Sequence, residues 1–283
     1  MRFVITGARG MLGSDLAAAL EGRDVLALTR SDLDITNLDA VRSVTNGADV
    51  VINAAAYTRV DDAESDETAA FAINATGAGN VAIAAAEAGA TLVHYSTDYV
   101  FDGTATTPYP EDSPTHPVTA YGRTKAAGEA LVLERGPERT FLLRTAYLYG
   151  EHGPNFVRTM LRLAGERETV SVVTDQVGQP TWTADVASQT VALLDGSAEP
   201  GIYHATSAGR ASWFDFARAI FETAGLDPAR VHPTDSAHYV QRAPRPAYSV
   251  LGHARWAASG VPALHDWRDA LHAAAERGII GAR

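Results

Sequence analysis

The sequence predicts an α/β fold, a Rossmann-type doubly wound parallel sheet followed by a smaller C-terminal lobe. Three observations predict it. Short apolar, β-branched runs alternate with alanine-rich helical stretches through the first two-thirds of the chain. A glycine-rich segment follows the first of those runs and opens the first helix. Beyond about Glu151 the alternation loosens, as expected of a lobe laid over the sheet's C-terminal edge. Strands separated by helices return through right-handed crossovers, which makes the sheet parallel and covers both its faces.

Taken in order, Arg2 to Thr6 reads as a strand, and Gly7 to Gly13 as a loop opening a helix that runs through Leu20. Asp24 to Leu28 is a second strand, Val41 lies in a short helix, and Asp49 to Asn53 is a third strand ending in Ala54, Ala55 and Ala56. Ser65 to Ala88 has the length and alanine content of one long helix, with Asn74 midway. Thr91 to Ser96 is a fourth strand, followed by a polar, proline-rich loop to about Pro117. Ala120 to Glu134 is helical and Thr140 to Arg144 is a further strand. In the second part, Phe156 to Gly165, Trp182 to Leu194, Ser212 to Ala224 and Ala263 to Arg277 read as helices. Val170 to Val173 and Ile202 to Ala205 read as strands, and Pro228 to Pro246 as irregular. The division expected is 1–150 for the sheet domain, with some later segments returning to it, and 151–283 for the lobe.

Composition removes several function classes. With 46% apolar and 20% charged residues among 283, the chain can fill a core, which disposes of disorder. A net charge of −11 repels phosphate backbones, so neither nucleic acid nor an anionic membrane is an expected partner. Any anionic ligand must be met locally, by placed arginines or backbone N–H groups. The absence of cysteine eliminates disulfides, thiol nucleophiles and cysteine-based metal sites. The opening residues are too short for a signal-peptide core, and no later stretch reads as a membrane span, so a cytoplasmic protein is expected.

The run Thr6-Gly7-Ala8-Arg9-Gly10-Met11-Leu12-Gly13 sits between a strand and a helix. Gly7 permits the tight turn, Gly10 lets backbone approach a pyrophosphate, and Gly13 lets the helix pack closely on the strand. The helix N-terminus offers unpaired N–H groups to the anion. At the end of the second strand, Arg30, together with Arg9, suits a 2′-phosphate and favours NADPH, with NADH still possible through Asp32.

Of 23 basic residues, 22 are arginine and Lys125 alone is lysine. A chain that uses arginine almost everywhere keeps this one place for a compact ammonium. Lys125 lies four residues after Tyr121, on the same face of a helix. An adjacent ammonium favours the phenolate and is expected to lower the tyrosine pKa toward working pH, making Tyr121 a proton donor. Lys125 also suits the ribose hydroxyls of a dinucleotide. Thr97, at the end of the fourth strand, either holds a substrate oxygen against Tyr121 or caps the following loop.

These runs, T-G-x-x-G-x-x-G, N-A-A-A at Asn53 to Ala56, S-T-D-Y-V-F at Ser96 to Phe101 and Y-G-x-T-K at Tyr121 to Lys125, resemble those of extended short-chain dehydrogenase/reductases. More narrowly, the chain resembles the dTDP-4-dehydrorhamnose reductase family. Further matching stretches are D-D-A-E at Asp61 to Glu64, N-F-V-R-T-M-L-R-L from Asn155, D-Q-x-G-x-P-T from Asp175 and R-P-A-Y-S from Arg245. The resemblance implies Thr97, Tyr121 and Lys125 as catalytic residues, with Gly7, Gly10, Met11, Leu12 and Gly13 as the pyrophosphate loop. It implies Asp34 and Ile35 near adenine, Ala54, Ala55 and Ala56 along the cofactor, and Ser96 near the nicotinamide. Thr58, Val60 and Tyr99 fall at sugar-pocket positions, as does Tyr147, where relatives often carry tryptophan. Arg245, Asn155 and Trp182 are candidates for the nucleotide end, Arg245 for the diphosphate and Trp182 either for stacking on thymine or for filling the core. The acidic pair that bridges magnesium in dimers of some relatives has no firm counterpart, which leaves magnesium, and monomer against homodimer, open.

The implied reaction is hydride transfer from NADPH to C4 of a dTDP-4-keto-6-deoxyhexose, with Tyr121 giving the proton. Two alternatives stand beside it: a 4-ketoreductase of another nucleotide deoxysugar, of antibiotic or dihydrostreptose type, and a non-catalytic NADP-binding regulatory subunit. The intact Thr97, Tyr121 and Lys125 argue against the last. An epimerase or dehydratase is weaker still, because dehydratases of this type place an Asp-Glu pair near the threonine, and Thr97 is followed by Asp98-Tyr99.

Overall fold

The computed structural model describes residues 1–239 and 241–280. Six strands form one parallel sheet: β1 (Arg2–Thr6), β2 (Asp24–Leu28), β3 (Val50–Asn53), β4 (Thr91–Thr97), β5 (Thr140–Thr145) and β6 (Gly201–His204). They lie in the order β2-β1-β3-β4-β5-β6. Because β2 and β3 flank β1 on opposite sides, the winding reverses between β1 and β3. The crossovers diverge there and leave a crevice outside the C-terminal ends of the strands.

The helices are α1 (Met11–Ala19), α2 (Leu38–Thr45), α3 (Glu67–Glu87), α4 (Ala120–Arg135), α5 (Phe156–Glu166), α6 (Thr183–Asp195), α7 (Trp213–Thr223) and α8 (Trp267–Glu276). Alternation within each strand sorts the core into two layers. Phe3, Ile5, Val93, Phe141 and Leu143 face α1 and α6 through Leu16, Leu20, Val186 and Leu193. Val4, Val51 and Leu92 face the other way, against Val81, Ala82 and Ala85 of α3. Each fully buried large side chain contributes roughly 1.5–3 kcal/mol, so both layers are needed. A separate core unites α5, α7 and α8 through Val157, Met160, Phe216, Ile220, Trp267 and Leu271. The chain passes back to the sheet between these helices, since α6 packs on α1 and β6 pairs with β5.

Several elements differ from expectation. The long helix is interrupted: Ala72–Gly77 widens into a π turn between regular segments. Its cause lies in another helix, because a side chain at Gly128 of α4 would overlap the Asn74 carbonyl oxygen. The same helix, Glu67–Glu87, is 21 residues long and apolar enough by composition to cross a membrane, contrary to the expectation that no stretch is. Its Ala78, Val81, Ala82 and Ala85 are buried against the sheet, which accounts for that composition. Val231–Thr234, in the stretch read as irregular, pairs in parallel with Val170–Val173. Pro233 and the lack of alternation hide such an edge strand from the sequence. Val240, in the same stretch, lies outside the described residues. A short helix, Ala254–Ser259, was not expected, and the last helix starts later than Ala263, where Asp266 accepts from Arg268 N–H at 3.0 Å.

Candidate active site

At the crevice the glycine loop meets the end of β3. Gly7 has φ +72°, and a Cβ there would lie 2.6 Å from the Ala55 nitrogen and 2.7 Å from the Ala54 carbonyl carbon. Only glycine allows the loop to turn so close to Ala54 and Ala55, which are half-buried together with Ala56. Gly10 is exposed and no side chain caps the first turn of α1, so its N–H groups are available to an anion. Met11 is half-buried at that turn, whereas the Leu12 side chain enters the core, leaving only its backbone for a ligand.

Arg9 and Arg30 are exposed, and neither has an ion-pair partner among the described residues. Asp32, the competing acid, accepts from the Thr29 N–H at 2.9 Å and the Thr29 hydroxyl at 2.6 Å, bonds that hold its pKa low. Its carboxylate is thereby committed to its own turn. Asp34 is similarly turned to Thr36, and Ile35 is buried against Gly77.

The catalytic candidates come together along β4 and α4. The Thr119 hydroxyl accepts from Gly122 N–H at 2.9 Å and Glu64 Oε1 from Ala120 N–H at 2.8 Å, which sets Tyr121 in the first turn of α4. A side chain at Gly122 would overlap the Tyr99 carbonyl oxygen, so glycine brings that turn onto residues 98–100. The Tyr121 ring meets Tyr99 edge-on at 5.9 Å. Thr97 is buried; its hydroxyl donates to Asp98 Oδ1 at 3.0 Å and accepts from Tyr99 N–H at 3.2 Å. It therefore caps the turn as well as lying beside Tyr121. Ser96 is buried, with its hydroxyl unpartnered.

The charge relation between Lys125 and Tyr121 is not the expected one. Burial raises the Tyr121 phenol to about 12, with the Thr97 hydroxyl pulling in the opposite direction. Lys125 is buried and its Nζ donates to the Tyr95 carbonyl oxygen at 2.6 Å, so the ammonium is engaged with β4 backbone and does not lower the phenol. Burial in turn drives Lys125 down to about 8. Spacing on a helix places two residues on one face without saying where a long side chain points.

Beside Thr97 and Tyr121, Tyr99 lies under Arg245, whose Cζ is 5.9 Å from the ring centre. Arg245 also binds Asp61 Oδ2 at 2.7 Å and Gln241 Oε1 at 3.1 Å, and its buried Nη1 has no partner among the described residues. Tyr147 joins this group near Tyr99, Asp98 and Ser249, and burial pushes its phenol well up. It is the one non-glycine residue with positive φ (+46°) among those described, and its ring stacks on Trp213 at 3.8 Å. A tyrosine held in that region marks a constrained position. Thr58 is exposed on the loop after β3 and Val60 is half-buried at the start of a short helix, Val60–Ala63; Asn74 ties that loop down, its side chain bonding the Tyr57 N–H at 2.8 Å and the Thr124 hydroxyl at 3.0 Å.

Two candidates for the nucleotide end lie elsewhere. Trp182 is 3% exposed in the core of the C-terminal lobe, so no face of its ring is open to a base. Asn155 caps α5, accepting from Arg158 N–H at 3.1 Å, and its amide reaches the Gly150 carbonyl at 2.9 Å beside Met11. Conversely, Asp98, Ser249, Asp61 and Trp213 belong to the group and were not singled out. Asp98 is 2% exposed, and burial lifts it to about 6 against the pull of the Ser249 and Thr97 hydroxyls. Asp61 and Ser249 stand inside runs already noted, D-D-A-E and R-P-A-Y-S, which was the available signal. Among the described residues no three acidic or histidine side chains group as metal ligands.

Comparison with known proteins places the chain in a family. The family model described as RmlD substrate binding domain matches residues 1–279. A dTDP-4-dehydrorhamnose reductase of Mycolicibacterium smegmatis is 51% identical over 99% of this chain and 86% of its own length. A dTDP-4-keto-6-deoxy-D-glucose reductase of Streptomyces niveus is 49% identical over 95% of both chains. The crystal structure of a dTDP-4-dehydrorhamnose reductase from Bacillus anthracis, in complex with NADP, superposes with a TM-score of 0.94 at 40% identity, covering 98% of this chain and 99% of that one. The chain thus belongs to the RmlD substrate binding domain family, the family of the dTDP-4-dehydrorhamnose reductases.

Proposed function

We propose that this protein is a cytoplasmic enzyme that uses NADPH to reduce the C4 carbonyl of dTDP-4-dehydro-L-rhamnose, giving dTDP-L-rhamnose. The observation that carries the reading is the Thr97 hydroxyl set beside the Tyr121 phenol at the C-terminal end of β4, with Lys125 one turn further along α4 and bonded to the Tyr95 carbonyl of the same strand. The crevice between β1 and β3 fits a dinucleotide: the Gly7 turn, the uncapped start of α1 and the half-buried Ala54–Ala56 suit a pyrophosphate and a flat ring system. Exposed Arg9 and Arg30, with no ion-pair partner among the described residues and Asp32 committed to Thr29, suit a 2′-phosphate. Bound there, the nicotinamide supplies the hydride.

The chain's own part is positioning and proton supply. Tyr121 keeps its phenolic proton throughout the neutral range, because its pKa lies near 12. The alkoxide formed at C4 is a much stronger base than a phenolate, so the proton on Tyr121 Oη passes to that oxygen. Thr97 holds the same oxygen by turning its one hydroxyl proton from Asp98 to it, while Tyr99 N–H keeps the hydroxyl in place. Lys125 contributes a positive charge and a donor for ribose. Tyr99, Tyr147, Thr58 and Val60 line the hexose. Arg245 offers its buried Nη1 to the diphosphate, and residues 151–283 act mainly as the substrate lobe. The test is NADPH oxidation with dTDP-4-keto-6-deoxyhexose in the presence of the upstream epimerase, with the product identified by NMR. Cofactor binding without turnover would instead support a regulatory subunit.

A second reading is a 4-ketoreductase of another dTDP-deoxysugar. Relatives with different named sugars are about equally similar, at 49% and 51% identity, which favours it. The stereochemistry at C4 and C5 of the product separates the two.

A further inference from the structure

Lys125, the one lysine in the chain, is 2% exposed and its Nζ meets a neutral carbonyl, that of Tyr95, at 2.6 Å. One turn further along α4, Glu129 is 3% exposed. Both its carboxylate oxygens are held by Arg144 of β5, Nε at 3.0 Å and Nη2 at 2.8 Å. Arg144 is itself 2% exposed, lies opposite Ser96 in the β4–β5 register, and uses Nη1 on the Glu111 carbonyl at 3.3 Å. Stability is a poor reason for such a pair. Desolvating two charges costs as much as their attraction returns, and apolar side chains of similar volume pack as well.

The other charged or titratable groups packed around α4 do not supply a negative charge to Lys125. His94 on β4 is buried on the Asn53 amide and held neutral by burial and by Lys125 itself. Tyr95 engages the Thr190 hydroxyl at 2.6 Å. Tyr121 is a protonated phenol, while Asp98 and Tyr99 pack against the first turn and act on Tyr121. Glu64 is bonded to the Ala120 N–H, and Glu67 pairs with Arg123 on the outer face. His204, beyond Arg144, is kept uncharged by burial.

We propose that Glu129 and Arg144 are positioning residues for the reaction: Arg144 fixes the Glu129 carboxylate one turn from Lys125, and that carboxylate keeps Lys125 an ammonium inside the core. The direction of the Lys125 shift agrees, since burial lowers it to about 8 and Glu129 is the group that opposes the fall. The inference rests on the role given to Lys125 above, and its test reads Lys125 directly. Protein grown on [ε-13C]lysine, with a lysine-free tag, gives one lysine signal whose shift reports the charge of Lys125. Wild type is compared with Glu129→Gln and with the double variant Glu129→Leu/Arg144→Met, which removes both buried charges and so avoids leaving an unpaired guanidinium. In the folded variants the midpoint of that signal is expected to fall by about one pH unit or more, and the alkaline limb of turnover to move with it. An unchanged midpoint in the folded double variant overturns the proposal. A midpoint that moves while turnover stays level upholds the charge support and overturns the catalytic role of Lys125.

Discussion

Asp98 shows how burial sets the behaviour of single residues here. Its folded value, about 6, lies above the usual 3.8, so between about pH 4 and 6 the folded chain binds more protons than the unfolded one. Stability from this residue therefore falls as pH rises through that window and stays reduced above it. Replacing Asp98 with Asn, which keeps an acceptor for the Thr97 hydroxyl, is expected to raise stability by about 1–3 kcal/mol at pH 7.5. At pH 3.5, where the carboxyl is protonated in the folded chain and mostly so in the unfolded one, little change is expected. Thermal unfolding at the two pH values checks both. Asp98 stood inside the run S-T-D-Y-V-F, but its burial was not legible, because a carboxylate after a threonine looks the same whether it is buried or exposed. Tyr121 and Lys125 stood out by residue type and spacing, whereas Thr97 joined them only through the family resemblance. The acidity of Tyr121 was not legible, because it depends on the direction of the Lys125 side chain. For the same reason Trp182 was readable as a large aromatic but not as one enclosed on all sides.

At the scale of elements, the glycine loop and its neighbouring arginines were visible in sequence because a strand–loop–helix junction has its own composition. Arg30 has no ion-pair partner among the described residues, whereas Asp32 is bonded to Thr29. Arg30→Glu is therefore expected to lower the NADPH-to-NADH ratio of kcat/KM by about tenfold or more, given roughly 1.5–3 kcal/mol for a charged hydrogen bond. Steady-state kinetics with each cofactor measures it, and an unchanged ratio would remove Arg30 from the cofactor site. The π turn in α3 was invisible, because its cause is the crossing of α4 at Gly128 and not anything local. Gly128→Ala places a methyl on the Asn74 carbonyl oxygen and is expected to cost about 1–3 kcal/mol, read by urea unfolding. Asn74 also holds the loop that bears Thr58 and leads into Val60, so the KM for sugar nucleotide should rise with that loss.

On the scale of the molecule, alternating elements identify a parallel sheet but not the order of its strands. That order, β2-β1-β3-β4-β5-β6, is what sets the crevice between β1 and β3. The return of α6 and β6 to the sheet was legible only as a pattern of apolar residues, since pairing partners are a property of the folded chain. With a net charge of −11, the molecule can meet an anionic ligand only through local donors, such as the uncapped N–H groups at the start of α1 and the exposed Arg9 and Arg30. The central claim, that Tyr121 protonates the oxygen of a carbonyl receiving hydride, is tested most directly by comparing Tyr121→Phe with wild type. Both are to be assayed for single-turnover NADPH oxidation with saturating dTDP-4-keto-6-deoxyhexose. The account predicts that the variant folds and binds NADPH as before while its rate falls about 10²- to 10⁴-fold; a rate equal to that of wild type would contradict it.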